Sequence, residues 1–167
     1  MKSSYLIASL LMLGVAAQAH ADSATITVTG KVLPGTCTMA NVPVTLADID
    51  ATDLKTGHDN GLRPAVLNFT GCVGVTSVDL TFEGTADAAQ DGHWLNQATG
   101  GATGVAVALL DGTTGNDFLQ KGAKKTVAVN GAATAKLDMR AGYYRKAGTS
   151  LKAGDVSTQI TVTADYK

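Results

Sequence analysis

Residues 23–32 read SATITVTGKV. Taken in alternation, Ala24, Ile26, Val28, Gly30 and Val32 fall on one face, and Thr25, Thr27, Thr29 and Lys31 on the other. A period of two is the signature of a β-strand with one apolar side. The far end, residues 157–167, reads STQITVTADYK and repeats the pattern, with Ile160, Val162, Ala164 and Tyr166 on one face. A strand with an open edge leaves its N–H and C=O groups unpaired and invites another chain. What each terminal strand pairs with therefore decides the fold.

The residues before this strand set the compartment. Lys2 gives a positive start, Tyr5 to Ala17 is an apolar run, and AQAHAD follows with overlapping A-x-A sites. This is the pattern of a secretory signal peptide over residues 1–21, removed after Ala21. The run is too short to span about 30 Å of hydrocarbon as a helix. Residues 22–167 are then one domain's worth of chain. With 13 basic and 14 acidic residues, the charge is near neutral. No basic patch points to nucleic acid, and no amphipathic basic stretch points to a membrane surface. Cys37 and Cys72 are the two cysteines. In an exported protein such a pair is most simply a disulfide, here closing a loop of about 35 residues and worth about 3–4 kcal/mol.

Short alternating runs recur along the chain. Val42, Val44 and Leu46 form one, as do Leu67, Phe69 and Gly71; Val78, Leu80 and Phe82; and Val105, Val107 and Leu109. The longest is Ala135, Leu137, Met139, Ala141 and Tyr143, which puts Tyr143 and Tyr144 on opposite faces. Between the runs lie GTADAAQDG, NQATGGATG, DGTTGND and VNGAA, which are turn compositions. Many short strands at this spacing predict an all-β sandwich. Residues 47–64 are the least periodic and read as a loop.

Candidate chemistry is sparse. His58 and His93 have no Cys or His at ligand spacing, which argues against zinc. No nucleophile elbow or P-loop sequence occurs. Asp48, Asp50 and Asp53 lack the turn glycine and distant acid of a calcium loop, so they read as a solvated acidic loop. Asn68-Phe69-Thr70 matches a glycosylation sequon, but Phe69 lies on an apolar strand face and the match reads as chance. Trp94 reads as a core or rim residue, with sugar stacking as the alternative.

Taken in order, the motifs resemble those of chaperone–usher fimbrial subunits, and among them the minor tip adaptors of type 1-like fimbriae. The segment ADSATITVTGKVLPGTCTM resembles the adaptor N-terminus: an alternating strand, Gly-Lys-Val, then Cys. VLNFTGC places the second cysteine after an apolar strand, and GVAVALLDGTTG is similar to the family's strand-plus-turn segment. Tyr166 is penultimate and Gly154 is fourteenth from the end, the positions of the family's chaperone-recognition signature.

The resemblance implies an incomplete immunoglobulin-like sandwich lacking its final strand and completed by donor-strand exchange. Residues 22–33 would be the donor strand and 34–167 the pilin domain. Ala24, Ile26, Val28, Gly30 and Val32 would enter a neighbour's groove. Gly154, Ile160, Val162, Ala164 and Tyr166, on or near a final strand spanning Val156 to Tyr166, would face the chaperone. The implied partners are a periplasmic pilus chaperone, an outer-membrane usher and neighbouring pilins, on the route to a cell-surface fimbrium. The function implied is structural, not enzymatic, and no cofactor or metal is implied. A major rod pilin and a secreted carbohydrate-binding adhesin are the alternatives.

Overall fold

The computed structural model describes residues 24–167, so the signal peptide expected over residues 1–21 lies outside the described residues. The chain divides after Lys31 into an N-terminal unit and a unit of Val32–Lys167. Within the first, Ala24 to Lys31 carry no strand, and Ile26 and Val28 are exposed.

The second unit is all-β. Its strands are β1 (Thr38–Met39), β2 (Asp59–Thr70), β3 (Ser77–Gly84), β4 (Trp94–Leu95), β5 (Val105–Asp111), β6 (Lys124–Ala128), β7 (Thr134–Arg145) and β8 (Ile160–Tyr166). They form a five-stranded sheet, β1-β2-β7-β5-β4, and a three-stranded sheet, β6-β3-β8. All these pairings are antiparallel. This is the all-β sandwich expected from the alternating runs, in the immunoglobulin-like form that the resemblance implies.

The core forms where the alternating apolar faces of the two sheets meet. Leu67 and Phe69 of β2, Leu137, Met139 and Ala141 of β7, and Val107 and Leu109 of β5 pack against Val78, Leu80 and Phe82 of β3. Phe69, Val78 and Phe82 are fully buried. Trp94 is fully buried as well, and its indole Nε1 donates to the Leu119 carbonyl at 3.0 Å. A ring so enclosed cannot stack on a sugar, which settles that question in favour of the core. Cys37 and Cys72 are joined in a disulfide beside the Thr38–Thr70 register of β1 and β2.

Four segments differ from the sequence pattern. β2 begins at Asp59, inside the stretch read as a loop. Its first residues are held by Asn60, whose side chain accepts from Lys55 N at 2.9 Å and donates to the carbonyls of Lys55 and His58. A register shift between Asn60 and Arg63 follows, with Gly61 at φ 61°, so the alternation is broken where the strand starts. Residues 42–46 form no strand despite their alternation. β8 starts at Ile160 rather than Val156, because Ser157 N and Gln159 N donate to the side-chain oxygens of Asn96 and Gln97. β6, built on Lys124–Ala128, was not anticipated, its lysines and short length hiding the alternation of Val127 and Val129.

Phe69 fills the centre of the core. We expect Phe69→Ala to lower stability by about 3–5 kcal/mol in urea denaturation of the oxidised protein, with the disulfide intact.

Candidate functional site: a groove between two unpaired walls

Among the described residues, β8 bonds to β3 on one side only, in a register running from Val78↔Tyr166 to Gly84↔Ile160. Across from its open edge lies the segment following β1. Among the described residues, 40–49 make no backbone–backbone hydrogen bond. Polar main-chain groups left in this state need water or another strand. The missing ladder is why the alternation of Val42, Val44 and Leu46 does not mature into a strand.

Between these two walls opens a groove of about 1000 Å³. Its floor is apolar: Leu67, Phe82, Val107, Leu109 and Met139. Val42, Leu46 and Ile49 line one wall, and Val156, Ile160 and Val162 the other. These wall residues are half-buried, and Val44 is exposed. The arrangement is a sandwich whose core lacks one covering strand.

Two tyrosine hydroxyls anchor the walls. Tyr166 Oη donates to the Cys37 carbonyl at 3.0 Å, tying the end of β8 to the disulfide. Tyr143 Oη donates to the Ala47 carbonyl at 3.2 Å, tying the other wall to β7. Burial first, and the Asp48 carboxylate second, push the Tyr143 phenol above its ordinary value of 10.0.

Of the residues singled out in the sequence, Gly154, Ile160 and Val162 line the groove, whereas Ala164 and Tyr166 pack against the core beyond its lining. Gly154 has a specific physical role. A Cβ there would lie 2.7 Å from Ala102 N, so the absent side chain lets this wall close on the 101–102 turn, where Ala102 N donates to the Asp155 carbonyl at 2.9 Å. The wall residues Ile49 and Leu151 were not anticipated. They stand in aperiodic loops, and no local signal marks them. Asp48, Asp50 and Asp53 are exposed, and among the described residues no group of three acids, histidines or cysteines is placed to hold a metal ion. Also among the described residues, no helix is long and apolar enough to cross a membrane.

A sandwich open along one strand position defines an assembly subunit that needs a strand from elsewhere. Comparison with known proteins agrees. The family described as fimbrial protein matches residues 26–167. The chain is 34% identical over 164 residues to the S-fimbrial adhesin protein SfaS of Escherichia coli strain 536, covering 96% of each. It is 33% identical over 172 residues to protein FimG of Escherichia coli strain K12, covering 99% of this chain and 97% of FimG. Among solved structures, that of the P pilus rod subunit PapA is similar in fold, with a TM-score of 0.63 at 15% identity, covering 80% of this chain and 100% of PapA. The chain belongs to the fimbrial protein family and is a structural fimbrial subunit, exported and displayed at the cell surface.

Because folding raises the Tyr143 pKa, the neutral phenol is the form the fold favours. Its contribution is complete below about pH 10 and is lost as pH rises through the raised folded value. Tyr143→Phe is expected to cost about 0.5–1 kcal/mol at neutral pH through the lost bond to Ala47. It should also flatten the fall in stability above about pH 10 in denaturant midpoints measured across alkaline pH.

Proposed function

We propose that this subunit is a minor tip adaptor, built into an adhesive fimbria by donor-strand exchange and joining an adhesin to the rod. The observation that carries this reading is the apolar groove between residues 40–51 and 151–162, with the β8 edge unpaired beside it. A periplasmic chaperone would lend a strand to this groove against Ile160 and Val162, with Gly154, Ala164 and Tyr166 on the same chain segment. At the outer-membrane usher, the N-terminal strand of the next subunit would replace it. The chain's own donor would be residues 22–33, presenting Ala24, Ile26, Val28, Gly30 and Val32.

The energetics support this use. Ile26, Val28 and Val32 are each more than four-fifths exposed in the single chain. Burying each in a neighbour is worth about 1.5–3 kcal/mol. Strand addition of this kind is an established recognition mode for pilins. Gly30 interrupts the apolar series and suits a point where the acceptor backbone approaches closely. The short arm before Gly30-Lys31-Val32 favours an adaptor over a rod pilin. The role is structural rather than catalytic, as the family membership supports.

The test is a thermal melt of residues 22–167 with a second copy of SATITVTGKV appended after Lys167 through a flexible linker. The control carries Ser at the copy's equivalents of Ile26, Val28 and Val32. We expect the intact copy, or a donor peptide from a neighbouring subunit, to raise the midpoint by tens of degrees over the control. Equal midpoints with every donor tried would mean the sandwich is already complete and would refute the assembly mechanism.

A further inference from the structure

Among the described residues outside the N-terminal arm, one large apolar side chain is more than half exposed. Val73 is 73% exposed, whereas Val44, Val66 and Leu95 reach 36% each. A lone surface valine needs no explanation, but the place of this one does. It follows Cys72, whose disulfide to Cys37 holds the start of the domain, and it lies where the arm joins the body. A Cβ built on Gly35 would stand 2.0 Å from the Val73 carbonyl oxygen, so the chain at Gly35 rests directly on the main chain of this turn. Two residues earlier Leu33 is 69% exposed, and Val32 before it is 95% exposed. Pro34, between Leu33 and Gly35, fixes its own φ and holds Leu33 extended. The root of the arm is therefore stiff and carries apolar side chains.

The other end of the domain carries a matching feature. Leu54 and Leu151 are half-buried and line the groove. Close to them in the chain, Thr56 and Lys152 bridge to Arg145 and Thr103, beside the Val105↔Arg145 end of the β5–β7 ladder. Both leucines thus stand at the groove mouth far from the disulfide. β8 runs from Ile160 towards Tyr166, whose hydroxyl reaches Cys37 at the disulfide end. Every ladder among β1 to β8 is antiparallel. A strand added to the open edge of β8 in the same sense begins beside Tyr166 and ends beside Ile160. The last residue of such a donor emerges at the mouth lined by Leu54 and Leu151.

We propose that Leu33 and Val73 form an apolar foot that stands on the groove mouth of the neighbouring fimbrial subunit receiving the arm, against Leu54 and Leu151 where that neighbour is a second copy of this chain. The inference rests on the donor-strand reading and adds to it a contact between domain bodies, outside the strand. A groove that buries Val32 comes within one residue of Leu33, and the close approach at Gly35 puts Val73 at the same place. Closing the contact removes apolar surface from water. Because the root is stiff, the foot also fixes the angle between successive bodies, where a strand alone would leave a hinge.

The test uses residues 22–167 as both donor and acceptor. Head-to-tail dimers, formed by refolding at high concentration and isolated by size-exclusion chromatography, are compared between wild type and Val73→Ser. The readouts are dissociation rate and small-angle X-ray scattering. The free peptide SATITVTGKV, which has the strand but no body, is titrated onto both chains. Val73→Ser dimers should dissociate about three- to tenfold faster and lose the fixed distance between bodies. The peptide affinity and the monomer's thermal midpoint should not move, because Val73 is exposed and lies outside the groove lining. In a double-mutant cycle, Leu151→Ser should cost less on top of Val73→Ser than alone. Dimers that dissociate and scatter alike in wild type and Val73→Ser overturn the foot and leave strand exchange standing. Peptide binding without dimers also overturns the foot alone, since a foot adds affinity to the strand. If neither dimers form nor the peptide binds, the donor-strand reading falls and the foot falls with it.

Discussion

Everything distinctive about this molecule follows from one open sheet edge. β8 is satisfied by β3 along one side and, among the described residues, has no strand along the other. The segment opposite, residues 40–49, has lost its ladder for the same reason. Between them lies apolar surface that water covers poorly, next to main-chain groups that need partners. The two needs point to the same solution, an extended segment with alternating apolar side chains. Hydrogen bonds along its edge satisfy the backbone, and its side chains complete the core. Such a contact is head to tail rather than self-complementary, so repetition yields an open filament, not a closed ring.

The rest of the domain holds the groove open in a defined shape. The disulfide fixes the start of one wall to the end of β2, and the Tyr166 hydroxyl fixes the end of the other to Cys37. At Gly154 the backbone approaches the 101–102 turn more closely than any side chain would allow. Away from the groove, Lys146 pairs with the buried Asp87 carboxylate at 2.8 Å, tying the loop before β4 to the end of β7. Removing one member of such a pair leaves a buried charge uncompensated, so it restrains that loop more than its net energy suggests. The walls are thus set by the domain, and the groove runs between them.

Much of the sandwich was legible in the sequence. β3, β5 and β7 lie where Val78 to Phe82, Val105 to Leu109 and Ala135 to Tyr143 alternate, because each has one face on the core and the sheet pleat reports that face residue by residue. β5 is buried on both faces, but its second face begins with the small Ala106 and Ala108 before Leu110, so the alternation of Val105, Val107 and Leu109 survives. The disulfide was legible from the count of two cysteines in an exported chain. The start of β2 was not, because Asn60 and Gly61 build a bulge that carries no apolar period. His93 stands directly after the turn composition GTADAAQDG, and only the fold shows it buried.

The sequence by itself determined the alternating runs that became β3, β5 and β7, the apolar face of each, the cysteine pair and the family resemblance, because these depend on alternation and spacing within a few residues. Only the tertiary structure decided which strands found partners. The run of Val42, Val44 and Leu46 is as regular as the run that became β3, yet one is ladder-bonded on both sides and the other on neither. Side-chain alternation is a local property of a chain. A β-ladder is a contract between distant segments, and in this domain one party to it is absent.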